Sequence, residues 1–586
     1  MQRAPSGRRG SRVRISYLSW WLEIDKRMEE LVAGKAYNSR SFRDRSRRRA
    51  LTLLHRCAEQ AALRRGISEM DWSAKPLSHP RLLSGPLIAV YLACVKFLVH
   101  MATAGNYGYY RDELYFLSAG ERLDLGYVDF PPLVAVVTAV ARAVLGDSPA
   151  ALHFFPALAS AGVVVLTALM TRELGGGRFA QVIAALASLI APNILVFGTW
   201  LSMDAFDQLF WALATYLLLL ILKQDRPGLW LPFGMVAGLG LLAKVTMLFF
   251  GFAVFIALLL TPARRHLLTR WPWLGGAIAL VFLLPYVFWQ VTHGWPTLEF
   301  WANYGAKLAP DSTLKFIFEQ AATMHPATLL IWPAGLYYYL LSRSGKPYQA
   351  LGWIYVILFV VFVIQNAKFY FLAPAYPILF AAGALVIERF IRWREWNWLK
   401  PAYVSLLVIS GAIVAPLAVV PVLSVDALAK ITGPVDGNAG IDSEALGTSQ
   451  VPQTFAFMQG WEEMVKTVAG VYRNLTPAEQ ARSCILAGNF GEAGALDFFG
   501  PKYFLPRVIS GHNNYYIWGT RGCSGEVTIS VGVPLERLEA VFDDIEHVDT
   551  VTCKYCMPNE NNVPVYVLRD PKMPLEEAWP EFKRFS

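Results

Sequence analysis

The sequence is short of charge. Only 17% of its 586 residues are Asp, Glu, Lys or Arg, and 55% are hydrophobic, whereas soluble domains carry about 25% charge. Mean hydropathy is +0.37. The shortage excludes an ordinary soluble protein. Apolar stretches of about 15–23 residues recur from Leu83 to Leu423, each able to cross or nearly cross a bilayer. A soluble core would account for one or two such runs, not for so many. The membrane region also lacks HExxH, a Walker loop, a GxGxxG unit and any zinc-spaced cluster, so it offers none of the chemistries those motifs carry. Arg64-Arg65-Gly66 and "GGGR" at 175–178 are too degenerate to serve as phosphate loops. Residues 1–69 have no apolar h-region and are not a signal peptide; Met70 is an alternative start.

Positive charge is concentrated rather than spread. Residues 1–84 hold 19 Lys or Arg against 8 Asp or Glu, a net of +11 (19 − 8), while the whole chain is +9. The remainder is therefore slightly acidic, which argues against nucleic acid as a partner. A basic cytoplasmic region over 1–84, obeying the positive-inside rule, is the expectation.

That rule also orders the spans. The first, about 85–103, should run outward. Spans at about 150–172, 178–198, 204–223, 229–243, 246–261, 274–291, 327–342, 350–365, 371–388 and 402–423 then place the basic loops "TRELGGGR", "KQDRPG", "TPARRHLLTR", "RSGK" and "ERFIRWREWNWLK" inside. Residues 131–146, opened by Pro131 and Pro132, are too short to span and suit a surface-hugging or re-entrant helix. The predicted architecture is a polytopic α-helical membrane domain over 85–423, with about eleven spans and an outer loop at 104–149. Residues 424–586 form an extracytoplasmic α/β domain.

With this topology the acidic stretch "YYRDELYFLSAGERLDLGYVDFPPL" at 109–133 lies at the outer membrane edge. Asp112, Glu113, Asp129, Asp204, Lys244, His293 and Lys368 all fall on that one face. Taken singly, each has a bland explanation. Asp204 and Asp207 open a span where a helix N-terminus tolerates an acid, Asp112-Glu113 suits a solvated turn, and the two lysines suit snorkelling anchors. His293, before Gly-Trp-Pro, serves equally as a turn element. Together they suggest a site that binds a lipid-linked phosphate through cations while a carboxylate handles a proton.

These residues carry a resemblance. "YGYYRDELYFLSAGERLDLGYVDFPPL", "SMDAFDQLFWAL", "HGWPTLEF" and "KFYFLAPAYP" resemble motifs of the bacterial relatives of protein O-mannosyltransferases. These are GT-C-type glycosyltransferases that use polyprenyl-phosphate sugars and include lipid A aminoarabinose transferases. The likeness covers about residues 83–390, and "NFGEAGALDFFG…LPRVISGHNNYYIWG" extends it into the tail. It implies Asp112 as catalytic base with Glu113 as its neighbour, and Asp129, Asp204, Lys244, His293, Lys368 and Tyr370 shaping the donor and acceptor sites. It further implies a multi-pass protein of the bacterial inner membrane, with a polyprenyl-phosphate sugar donor and a glycan, lipid or protein acceptor. No cofactor is required by the motifs; carboxylates beside a lipid phosphate leave a divalent cation open. A lipid-linked-sugar flippase would more often show repeats and mid-span charges, and neither is seen. A sensor or assembly protein acting through its tail would not need Asp112.

The tail holds Cys484, Cys523, Cys553 and Cys556. An oxidising location predicts disulfides among them, with three pairings open, and a lone CxxC at 553–556 leaves redox or metal roles as alternatives. Asn513, Asn514, Tyr515, Tyr516 and Trp518 form an aromatic-amide patch suited to acceptor recognition or to an ordinary core.

Overall fold

A computed structural model of the protein describes residues 84–307, 313–435 and 447–586. The expectations for the basic arm and for Met70 lie outside the described residues.

The membrane region is built from helices α1 (Gly85–Thr103), α2 (Arg111–Glu121), α3 (Leu133–Leu145), α4 (Pro149–Glu173), α5 (Arg178–Ile190), α6 (Met203–Gln224), α7 (Trp230–Ala243) and α8 (Thr246–Leu259). They are followed by α9 (Arg270–Thr292), α10 (Pro296–Lys307), α11 (Trp332–Leu340), α12 (Gln349–Ile364), α13 (Tyr376–Arg394) and α14 (Leu399–Ala418). Lipid is the natural solvent of several of them. On α9, Leu280, Val281, Leu284 and Phe288 stand exposed, as do Leu406, Ile409 and Ile413 on α14. Apolar surface of this extent marks a membrane or partner interface rather than a wetted face.

Among the described residues, seven helices are long and apolar enough to cross a membrane, and nine if two bent pairs each count as one span. The expected eleven are not reached. Residues 229–243 and 327–342 supply only α7, of 14 residues, and α11, of 9, both short of the roughly 20 that a bilayer core needs. The expected span 178–198 is broken, its two parts meeting at 75°. Pro192 cannot continue the hydrogen-bond ladder. The freed carbonyls find other donors: Lys96 Nζ reaches Ser188 O at 3.5 Å and Ile194 O at 3.3 Å, and Ser160 Oγ donates to Ile194 O at 3.0 Å. Lys96 is 1% exposed, and an intramembrane cation survives there because those carbonyls receive it.

α3 has 13 residues and leaves Val136, Val140 and Val144 exposed along one face, a stripe suited to lying in an interface plane. Elsewhere backbones touch. A Cβ on Gly234 of α7 would sit 2.1 Å from Gly275 O of α9, so only glycine permits this crossing.

The basic loops gather at one end of the bundle. Lys223 pairs with Glu173, Arg265 with Asp225, and Glu388 joins Arg392 to the Gly177 amide.

The tail forms the expected α/β domain. Strands β1 (Ser483–Ala487), β2 (Val508–Ser510), β3 (Val527–Val531), β4 (Phe542–Val551) and β5 (Val563–Pro571) make one sheet in the order β2-β1-β3-β5-β4. The first three strands are parallel, and β5 and β4 are antiparallel. Helices α15 (Trp461–Asn474) and α16 (Phe490–Phe499) pack on it. The domain is not a loosely tethered cover. Tyr110, Leu114 and Tyr115 of the membrane region share one hydrophobic core with Phe455, Trp461, Ile485 and Leu496 of the tail. α16 lies directly on α2: a Cβ added at Gly494 would meet the Leu114 carbonyl at 2.6 Å.

No disulfide joins Cys484, Cys523, Cys553 and Cys556 in this structure. They do fall into two neighbouring pairs, Cys484 with Cys523 and Cys553 with Cys556, each joined by a side-chain hydrogen bond.

Candidate active site

The five acids of segment 109–133 have five different fates. Glu121 turns to the surface and pairs with Arg142 at 2.8 Å. Asp124 accepts from Trp289 Nε1 at 2.8 Å and so anchors its loop to α9. Glu113 is wholly buried. Its Oε2 accepts from the Tyr110 amide at 2.8 Å, closing a capping box at the start of α2. Its Oε1 accepts from the Leu201 amide at 2.6 Å and lies 2.9 Å from His153 Nε2. Glu113 thus ties α2 to α4 and to the turn before α6, with both oxygens engaged inside protein.

Asp112 and Asp129 remain. Asp112 is about one-third exposed (34%), with Arg111 Nε 3.2 Å from its Oδ1. Arg111 is held in place by Phe457 and Phe490, whose ring centres lie 4.3 and 5.3 Å from its guanidinium. Asp129 receives Tyr115 OH on one oxygen at 3.0 Å and Asn513 Nδ2 on the other at 3.1 Å. Enclosure by protein, with the Asp112 charge adding to it, pushes the Asp129 carboxyl up to about 7 against the pull of these two donors.

The "GYVDF" loop is clamped from two sides. Thr297 Oγ1 donates to Val128 O at 2.7 Å, and Gln290 Nε2 reaches Tyr127 O at 3.3 Å. From the tail, Asn514 Oδ1 accepts from the Val128 amide at 2.9 Å, and the Asn514 amide donates to Tyr115 OH at 3.0 Å. Asn513, Asn514 and Tyr515 are at most 1% exposed. The proposed acceptor surface at these three positions is corrected accordingly: they form the joint between domain and bundle. Asp497 strengthens that joint by accepting from Arg122, Arg521 and Tyr515 at 3.0–3.2 Å.

A second group of residues lies deeper. Lys244 Nζ is 2.5 Å from Asp204 Oδ1, with side chains only 10% and 15% exposed. The sequence explains the positions: Asp204 sits in the first turn of α6, where the helix dipole favours an acid, and Lys244 occupies the break between α7 and α8. Asp207, one turn below Asp204, is within electrostatic reach of the same lysine. The Lys244 ammonium lies over Phe371 and Tyr370, at 4.5 and 5.3 Å. Lys368 approaches Tyr370 from another side at 5.6 Å, and Tyr304 at 5.1 Å. An aromatic row then leads back to the first group. Tyr370 meets Phe197, Phe197 meets Trp200, and Trp200 stacks on Tyr110 at 4.5 Å.

His293 stands apart. It is exposed at the end of α9, its Nδ1 2.9 Å from Trp289 O and its ring stacked on Trp289. Within its motif, Thr297 and neighbouring Gln290 make the contacts to the acidic loop. Sequence reasoning also missed the roles of Arg111 and Tyr115 and the pairing of Asn513, noted only as part of an aromatic-amide patch, with Asp129. A chain separation of 384 residues between Asn513 and Asp129 leaves no local signal to find. Among the described residues no group of three or more His, Cys, Asp or Glu side chains is arranged to hold a metal ion.

Residues 129–289 match the family model described as dolichyl-phosphate-mannose-protein mannosyltransferase. The matched span contains Asp129, Asp204 and Lys244. No curated relative matches in sequence. Among solved structures, the chain is similar to ArnT from Cupriavidus metallidurans bound to undecaprenyl phosphate. Identity is 14% and TM-score 0.53, over 82% of this chain and 98% of that one. Apo ArnT gives 14% and 0.55, over 82% and 97%. The family model and the shared fold bear out the resemblance read from the motifs. The chain has the GT-C-type architecture, a polytopic helical membrane domain followed by a small α/β domain.

Proposed function

We propose that the protein is a membrane glycosyltransferase that moves a sugar from a polyprenyl-phosphate donor to an acceptor hydroxyl, with Asp112 as general base. One observation carries the reading. An accessible carboxylate and a carboxyl held near neutrality lie on one stretch of chain beneath the tail, and an aromatic row joins them to two aromatic-flanked lysines from two further stretches. The likeness to an undecaprenyl-phosphate-bound ArnT supports the class of donor.

In the proposed reaction the acceptor oxygen attacks the anomeric carbon of the donor, the bond from that carbon to the phosphate oxygen breaks, and polyprenyl phosphate leaves. The acceptor proton passes to Asp112. Asp129, held by Tyr115 and Asn513, orients the acceptor and keeps a second full negative charge from building beside the base. Lys244 and Lys368 face the departing phosphate, where cations lower the barrier most because charge accumulates there. Glu113 acts through position, fixing the start of the helix that carries Asp112. The basic loops at the opposite end face the cytoplasm by the positive-inside rule, so transfer occurs on the outer face of the bacterial inner membrane.

Asp112→Asn tests the proposal. It keeps volume and hydrogen-bonding capacity but takes up no proton at neutral pH. Transfer by purified protein, assayed over a panel of polyprenyl-phosphate sugars, should fall by roughly 10²–10⁴-fold with donor binding retained. Near-normal transfer would remove Asp112 as the base.

A further inference from the structure

The parallel half of the tail sheet has a concavity of its own. From β1 the chain passes to β2 on one side, then crosses to β3 on the other. Beyond the carboxyl ends of such diverging strands an open α/β sheet leaves a crevice, because the connections depart in opposite directions. Here the crevice opens into a cavity of about 570 Å³, within the range of small-molecule sites. The main chain of Gly488 and Gly511, just past β1 and β2, lines it together with the side chains of Arg537, Lys583, Arg584 and Glu299.

Its charges are unevenly satisfied. Lys583 and Glu299 neutralise one another at 2.7 Å. Arg584 donates only from Nε, to Ser586 Oγ at 3.2 Å; among the described residues its two terminal nitrogens have no acceptor, and the Arg537 guanidinium has none either. Arg584 is half-buried. Burial, together with Arg537 and Arg111 and against the pull of Glu492 and Glu560, holds its guanidinium below the ordinary range. A guanidinium that has lost part of its water without gaining an anion is the group an incoming oxyanion would satisfy, through paired N–H donors.

We infer that this cavity is a binding site for a sugar-sized ligand bearing an oxyanion, a phosphate or carboxylate, set between Arg584 and Arg537. The inference concerns binding alone and does not depend on the proposed transfer reaction. The site adjoins the acidic centre through main chain: Arg584 O accepts from the Asn513 amide at 2.9 Å, and the Asn513 side chain holds Asp129.

The test is calorimetric titration of full-length protein in nanodiscs of zwitterionic lipid, with glucose 1-phosphate, glucose and inorganic phosphate as probes. Glucose 1-phosphate should bind about tenfold or more tightly than glucose, and less tightly at high salt. Arg584→Gln and Arg537→Gln should each weaken it about tenfold. Arg537 is exposed and, among the described residues, makes no side-chain bond, so its variant reports on binding even if Arg584→Gln folds poorly. Repeating the titration in phosphatidylglycerol nanodiscs separates the sources. Competition there identifies a lipid headgroup as the ligand, and unchanged binding identifies a soluble or glycan-borne oxyanion. Equal affinity for glucose and glucose 1-phosphate, no binding of glucose 1-phosphate, or full binding by Arg537→Gln would overturn the inference.

Discussion

The two groups of site residues are held by opposite means. Asp204 and Lys244 are 40 residues apart, face one another directly with little water, and owe their positions to membrane helices alone. Asp112 and Asp129 sit on a loop and a short helix that the bundle does not hold by itself. Their partners include Phe457, Phe490, Asn513 and Asn514 from the tail. The deep pair is thus an intrinsic feature of the bundle, whereas the outer pair is held jointly by bundle and tail. A buried ion pair depends chiefly on both charges being present. A hydrogen-bonded loop depends on the summed contacts of a joint.

The comparison breaks most visibly at Lys244. Lys244→Met leaves Asp204 and buried Asp207 facing no cation, a change that costs about 3–5 kcal/mol when one partner of a buried pair is removed. Thermal unfolding in detergent should show the loss, and Lys244→Met/Asp204→Asn should recover part of it. Equal melting of the parent and Lys244→Met would mean that the pair is solvated.

Asn513→Gly should be smaller, at about 1–3 kcal/mol, the cost of leaving a buried acceptor and donor unmet. Asn513 has φ of +49°, a conformation glycine tolerates, so the substitution removes the side chain without adding strain. Because the Asn513 donor pulls the Asp129 carboxyl downward, its loss should also move the Asp129 titration further up, read as an upward shift in the pH profile of transfer. A changed melt with an unmoved profile would assign Asn513 to docking only.

Asp129 sharpens the contrast through pH. Its folded pKa, about 7, is raised above the unfolded value of 3.8. Below about pH 4 both states hold the proton and the group costs little. As pH rises toward 7 the unfolded state releases it first, so this group's contribution to stability declines across that window. Asp129→Asn has no such term. Its melting temperature should gain on the parent from pH 4 to 7 and keep that gain above. A constant difference across the window would show that the carboxyl does not titrate there.

The smallest effect belongs to His293→Ala. The ring is exposed and bonds only within its own helix end, so stability should change by about 0.5 kcal/mol or less, with transfer unaffected. A large loss of transfer would return His293 to the site.

Much of this arrangement was legible from local pattern. Apolar runs marked the helices, alternation of strand-like and helix-like stretches marked the tail domain, and Lys244 announced itself by its cost in an apolar setting. What was not legible was the sorting of five nearby acids into a surface pair, a loop anchor, a buried cap and two site residues. Glu113 and Asp112 are adjacent in sequence, yet a helix turns successive side chains about 100° apart, so one enters the core while its neighbour keeps contact with solvent. The break at Pro192 was readable as a proline but not as a 75° bend, because its outcome depends on Lys96 reaching freed carbonyls from another helix.

The sequence by itself determined that the chain lives in a membrane, which stretches are helical, and that charge is scarce enough for each buried ion to need a partner. Those properties follow from composition and from periodicities of a few residues. Only the tertiary structure decided the bend at Pro192, the neighbour pairs of the tail thiols, and the joining of Asp129 to Asn513. Each depends on contacts between residues tens or hundreds of positions apart, and geometry across such separations is set by packing rather than by local preference.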